Sequence, residues 1–202
     1  MSVQITPQEI GRRFETMLSD LCECIPDLRV VGEGDVKRTY GSQVSGVDIS
    51  CHHQSTHKRL YIQCKWENTP AKLERISQLI TDADEIERWE PSIHHIKLWV
   101  CKTKPTINGV RKMDNADIRC LNGETFRSVL HQFWTFVKTY LGIIDTDVQF
   151  TEECLNEFAR LHTTWFNIQR SDPLLKQNRA NLIQRMRREH THGVCDMEVD
   201  CC

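Results

Sequence analysis

The stretch from Gly46 to Trp66 restricts this chain more than any other. Val47, Ile49 and Cys51 alternate with Asp48 and Ser50. A polar segment, Gln54-Ser55-Thr56-His57-Lys58, follows, and then Leu60, Ile62, Cys64 and Trp66 alternate with Tyr61, Gln63 and Lys65. Alternation at period two, broken by a polar turn, predicts a β-hairpin. Side chains two apart on a strand share a face and stand roughly 7 Å apart along it. Gln63 and Lys65 therefore project together, and the adjacent strand brings Asp48 up beside them. A carboxylate, an amide oxygen and an ammonium on one face suit a hard divalent cation with an anionic substrate.

The elements around the hairpin read as an α/β layered domain. Thr6-Pro7-Gln8-Glu9 carries the marks of a helix start: a capping hydroxyl, proline in the first turn and a glutamate at the capping-box position. Ile10, Phe14, Met17, Leu18 and Leu21 form one apolar stripe, so the helix is expected to run to about Cys24. Leu28 to Val31 reads as a short strand, Gly32 to Asp35 as a turn and Val36 to Tyr40 as a further strand or irregular approach. Gly41 to Gly46 reads as a small, flexible loop. Thr69-Pro70 marks a second helix, with Leu73, Ile76, Leu79, Ile80, Ala83 and Ile86 on its core face. Ile96 to Val100 has the composition of a strand covered on both faces. A basic loop with Lys102, Lys104, Arg111 and Lys112 follows, then a strand over Asp117 to Leu121 and a third helix over Glu124 to Leu141. This order predicts one domain over residues 1–145.

Residues 146–202 read as a small helical extension. Thr151 and Asp172-Pro173 open its helices, and six basic against two acidic side chains lie between Arg170 and His190. Beyond His192 periodicity is lost and the tail is read as disordered. His190, His192, Cys195, Cys201 and Cys202 lack the spacing of a metal knuckle, and His52 and His53 read as ordinary sheet positions. Gln78 reads as a surface glutamine, and Glu33 and Asp35 as turn residues. With 202 residues and a net charge of −2, the chain has no global basic field, so nucleic-acid contacts would have to come from local patches. No apolar run reaches the length of a membrane span, and the N-terminus lacks the basic start and apolar centre of a signal peptide. Ten cysteines without such a signal point to a reducing, cytoplasmic setting.

Gly46-Val47-Asp48-Ile49 followed by Ile62-Gln63-Cys64-Lys65-Trp66 resembles the PD-(D/E)XK nuclease superfamily. The resemblance is to the restriction-endonuclease-like, Mrr-type branch, with Gln-x-Lys in place of Glu-x-Lys. Val47 stands where the name-giving pattern has proline, and Gln63 where it has an acid. Gly11-Arg12-Arg13-Phe14-Glu15 resembles that branch's Phe-Glu helix, and the likeness extends over residues 6–141. It implies a restriction-endonuclease-like core, a mixed central β-sheet flanked by helices. It further implies that Asp48, Gln63 and Glu15 hold Mg²⁺ or Mn²⁺, with Glu15 acting directly or through a bound water. Lys65 would orient the attacking water or stabilise charge on the scissile phosphate. The implied activity is endonucleolytic hydrolysis of DNA in restriction or defence against foreign DNA. The C-terminal helices would then mediate homodimerisation or dock a larger regulatory partner. Alternatives are a nuclease-fold module that binds DNA or scaffolds a complex without cutting, a nuclease acting on RNA, and an α/β structural protein.

Overall fold

The computed structural model describes residues 6–25, 27–31, 46–141, 155–160, 162, 177, 181 and 184. The elements are α1 (Pro7–Glu23), β1 (Leu28–Val31), β2 (Ile49–His53), β3 (Lys58–Lys65), α2 (Leu73–Trp89), β4 (His94–Cys101), α3 (Ile107–Asn115), β5 (Ile118–Asn122) and α4 (Phe126–Leu141). The expected strand at Val36–Tyr40, the turn at Gly32–Asp35 with Glu33, and residues 41–45 of the small loop lie outside the described residues. So do most of the C-terminal extension and the tail from His190.

The strands form one mixed sheet in the order β1-β2-β3-β4-β5. The predicted hairpin is present: β2 and β3 run antiparallel, with Ile49 opposite Ile62 and Cys51 opposite Leu60. Gln54 to His57 connect them, and His57 takes the left-handed conformation, φ 52°. β1 adds antiparallel to β2, while β4 adds parallel to β3 and β5 parallel to β4, each after a helical crossover. The chain is therefore α/β, a five-stranded mixed sheet flanked by helices.

Both faces of the sheet are covered. Ile49, Cys51, Leu60, Ile62, Cys64, Leu98 and Val100 pack against Phe14, Met17, Leu18 and Leu21 of α1 and Val129, Leu130, Phe133 and Val137 of α4. Leu155, Phe158 and Ala159, from the helical residues 155–160, belong to the same core. On the other face Tyr61, Trp99, Cys101 and Ile118 meet Ile76, Leu79, Ala83 and Ile86 of α2 and Met113 of α3. This second layer buries the polar side of β3, so Gln63 is only 3% exposed.

α1 starts as expected: the Thr6 hydroxyl accepts from the Glu9 N–H at 3.2 Å. Two boundaries differ. The second helix begins at Leu73, after Lys72 in extended conformation, so Thr69-Pro70 belongs to the connection. Part of the expected basic loop is helix α3, whose first turn is capped by the Thr106 hydroxyl accepting from Gly109 N–H.

Gly46 is pressed against α2. A Cβ there would lie 2.8 Å from the Gln78 carbonyl carbon and the Leu79 nitrogen, both main-chain atoms. The Gly46 N–H donates to Asp82 Oδ2 at 2.5 Å, and the Gln78 amide donates to Asp82 Oδ1 at 2.6 Å. Gln78, though exposed, is thus committed to a helix neighbour. Gly46→Ala is expected to destabilise the fold by about 1–3 kcal/mol, because backbone must move to admit the methyl. Urea denaturation checks this; an unchanged midpoint would show that the strand lead-in is free to shift.

Candidate active site

The site lies where β2 begins and β3 ends. Asp48 precedes Ile49, and its N–H donates to the Ile62 carbonyl at 2.9 Å, one residue out of the register in which Ile49 faces Ile62. That bond holds Asp48 beside the last residues of β3. Asp48 Oδ2 accepts from the Cys64 N–H at 2.7 Å and from the Gln63 amide, Nε2. Lys65 Nζ stands 3.7 Å from the same oxygen, and both side chains are 16% exposed. At that separation the ammonium is an ion-pair partner rather than a well-formed hydrogen-bond donor. The pair remains open to solvent, so the Lys65 ammonium has room to contact an anion from outside.

Glu15 approaches from the other face. Its neighbour Phe14 is wholly buried and packs on Trp66, ring centroids 4.7 Å apart, with Phe126 of α4 at 4.5 Å from Trp66 and 6.0 Å from Phe14. The three rings fasten α1 to the end of β3 directly after Lys65. The electrostatics of Cys64 register the result. Burial, then the charges of Asp48 and Glu15, push its thiol well above the ordinary range, opposed by Lys65. Asp48, Gln63 and Lys65 are thus in direct contact, and Glu15 is close enough for its charge to act on the residue between Gln63 and Lys65.

The oxygen donors in this group fit a hard cation. Mg²⁺ binds through one or two carboxylates and keeps several waters, and Asp48, Gln63 and Glu15 supply two carboxylates and an amide. Gln63 currently turns its nitrogen toward Asp48; a half-turn of the amide presents Oε1 instead. Among the described residues no group of three or more His, Cys, Asp and Glu side chains converges as a ready-made metal cage.

The remaining candidates have local roles. The His53 ring nitrogen Nδ1 is hydrogen-bonded to the Thr56 hydroxyl at 2.7 Å inside the turn. His52 is held below the usual imidazole range by burial and by Arg59. Lys102, read only as part of a basic loop, has a defined position. Its N–H donates to the Lys65 carbonyl at 2.9 Å, while its ammonium lies 5.9 Å from the Trp66 ring centre and donates to Asn68 Oδ1 at 2.6 Å. The signal for it was the parallel crossover, which carries the end of β4 alongside the end of β3.

The parallel strands β3, β4 and β5 all end on this edge, and α2, α3 and α4 all begin there. Helix starts carry partial positive charge, and Lys65 and Lys102 add to it. Open α/β sheets bind ligands at such an edge, beyond the carboxyl ends of their strands.

Comparison with family models, with curated proteins and with solved structures finds no match.

Proposed function

We propose that this chain is a metal-dependent endonuclease with a restriction-endonuclease-like core, hydrolysing phosphodiester bonds of DNA. The observation that carries the reading is the convergence of Gln63, the Cys64 N–H and Lys65 on one carboxylate oxygen of Asp48 at a strand end. Glu15 acts electrostatically on the same strand end. A carboxylate, an amide and a lysine so placed match the Asp…Gln-x-Lys pattern, and Lys65 and Lys102 at the same strand ends offer cationic contacts to a polyanion.

Asp48, Gln63 and Glu15 would hold Mg²⁺ or Mn²⁺. Bound there, the cation supplies Lewis acidity to a phosphoryl oxygen and acidifies a water. The protein's own groups do the rest. Lys65 places an ammonium where charge grows on the phosphate, and Asp48 holds that ammonium in position. Glu15 holds or accepts a proton from a water on its side of the strand end. The Cys64 N–H fixes the Asp48 carboxylate so that it need not reorganise during reaction. Restriction or defence against foreign DNA in the cytoplasm is the setting this reading implies. The C-terminal region would pair two copies or dock a regulatory partner. No helix among the described residues is long and apolar enough to cross a membrane.

The test is nicking of supercoiled plasmid with Mg²⁺ or Mn²⁺, with and without chelator. Metal-dependent nicking supports the reading, and activity on RNA alone would redirect it to an RNA nuclease. A second reading, a module that binds DNA without cutting, is favoured by one observation: the neutral Gln63 is buried and already bonded to Asp48. Tight plasmid binding with no cleavage in either metal would select it.

Gln63→Glu separates these readings further. A second carboxylate at hydrogen-bond distance from Asp48 is expected to lower metal-free stability by about 1–3 kcal/mol. Added Mn²⁺ should restore most of the loss, because the cation neutralises the facing charges. Thermal melts with and without Mn²⁺ read this directly; a loss that Mn²⁺ leaves untouched argues against a cation at this position.

A further inference from the structure

We propose that Lys102 is a substrate-binding residue that holds a phosphate other than the scissile one, and that the DNA strand crosses the end of the sheet from Lys65 on one face to Lys102 on the other. This role rests on the reading of the neighbouring site as one that takes DNA.

Alternation along β3 sets the path. Lys65 is the register partner of Cys101, so its side chain stands on the face of Gln63 and Cys101, which α2 and α3 cover. Trp66, one residue on, packs against the opposite core, with Phe14 and Phe126. The Lys102 ammonium lies 5.9 Å from the Trp66 ring centre. The two lysines therefore stand on opposite faces of one strand end. The bond from the Lys102 N–H to the Lys65 carbonyl, 2.9 Å, keeps their backbones side by side. An extended polyanion laid across that end meets both.

The charge of Lys102 is held in place without being neutralised. Its ammonium donates to Asn68 Oδ1 at 2.6 Å, a neutral acceptor, and lies by a neutral ring. Among the described residues it makes no ion pair. Lys97, by contrast, is committed to Asp84 at 2.8 Å and Glu87 at 3.2 Å. An ammonium has three donors, and Asn68 takes one, so donors remain for an incoming anion. The Thr103 hydroxyl donates to the Glu67 carbonyl at 2.6 Å, which ties the segment after β4 to the segment after β3. Lys102 thus sits on a fixed support, and a preorganised side chain gives up little freedom when it binds.

The test is binding of a fluorescein-labelled duplex to the full chain in EDTA, read by anisotropy across about 50–200 mM KCl. Lys102→Gln should weaken binding about five- to tenfold at low salt and lower the slope of log affinity against log salt by about one. Lys102→Arg should restore both. Asn68→Asp is the second probe, because it sets a carboxylate against the ammonium. If Lys102 only fastens the two segments together, the new ion pair leaves binding as it was and the melting point holds or rises. If Lys102 contacts phosphate, its charge is spent in place, and affinity and slope fall as in Lys102→Gln. In nicking assays with Mg²⁺, KM should rise in both variants while kcat stays within about twofold, the reverse of Lys65→Ala. Wild-type affinity and slope in Lys102→Gln and Asn68→Asp overturn the proposal, as does a fall in kcat at unchanged KM. Failure of the nuclease reading alone looks different: the wild type binds the duplex and cuts nothing in either metal, yet both variants still lose about one unit of slope. A wild-type chain that neither binds nor cuts overturns both.

Discussion

Replacing Asp48 with Ala should lower metal-dependent plasmid nicking by at least about 10²-fold, and Lys65→Ala by about 10²–10⁴-fold. The two losses have different origins. Asp48 accepts from the Gln63 amide and the Cys64 N–H and is the ion-pair partner of the Lys65 ammonium. Its removal takes away a cation ligand and the group that positions the lysine. It also leaves a buried amide and a main-chain N–H unpaired, at a cost of about 1–3 kcal/mol. Rates must therefore be compared well below both melting temperatures. Lys65→Ala removes one partly exposed ammonium and leaves the ladder intact, so its stability should barely change. Its plasmid affinity should fall only a few-fold while the rate constant falls far more. Initial rates at saturating plasmid, with circular dichroism melts of each variant, provide the measurement. Wild-type nicking by Asp48→Ala would sink the proposed site outright.

Phe158→Ala is expected to cost about 3–5 kcal/mol in folding stability. Phe158 is wholly buried in the core formed by α1, α4 and one face of the sheet. Its ring packs on His162 at 4.5 Å, and His162 Nε2 in turn lies 3.2 Å from Asp20 Oδ2 on α1. Both members of that pair are buried. The helical segment at residues 155–160 therefore completes the layer that holds α1, the helix that carries Glu15. For a chain of this size the loss corresponds to a melting point lower by roughly 6–20 °C. Denaturant titration checks it. A change below about 1 kcal/mol would show that this segment rests on the core without completing it.

The hairpin was legible because its signal is local. Period-two alternation and a polar turn place Asp48, Gln63 and Lys65 in one pairing, whose register is set by Ile49 opposite Ile62. α1 was legible from Thr6-Pro7 and its apolar stripe, and β4 from an uninterrupted apolar run. α3 was not. It spans nine residues, contains Gly109 and buries only that glycine and Met113, so too few apolar positions recur for a period to show. Its cap, Thr106, was hidden among basic residues. The start of α2 was misplaced because Thr69-Pro70 imitates a capped first turn, whereas Lys72 caps without a side-chain bond. The burial of Gln63 also escaped local reading, since it depends on α2 and α3 covering the polar side of β3.

The apolar stripe of α1 has a consequence for biosynthesis. Phe14, Met17, Leu18 and Leu21 are covered by the hairpin and by α4, which begins at Phe126, and share their core with Leu155 and Phe158. During translation this helix emerges before the elements that cover it, and part of that cover is then still about a hundred residues from being made. At roughly 5–20 residues per second, the stripe waits on the order of 5–20 s before its partners emerge. The nascent chain must spend that interval with a sticky helix in the open, a natural target for a ribosome-associated chaperone. Polar substitutions along the stripe would relieve the exposure only by removing the surface on which the finished fold closes.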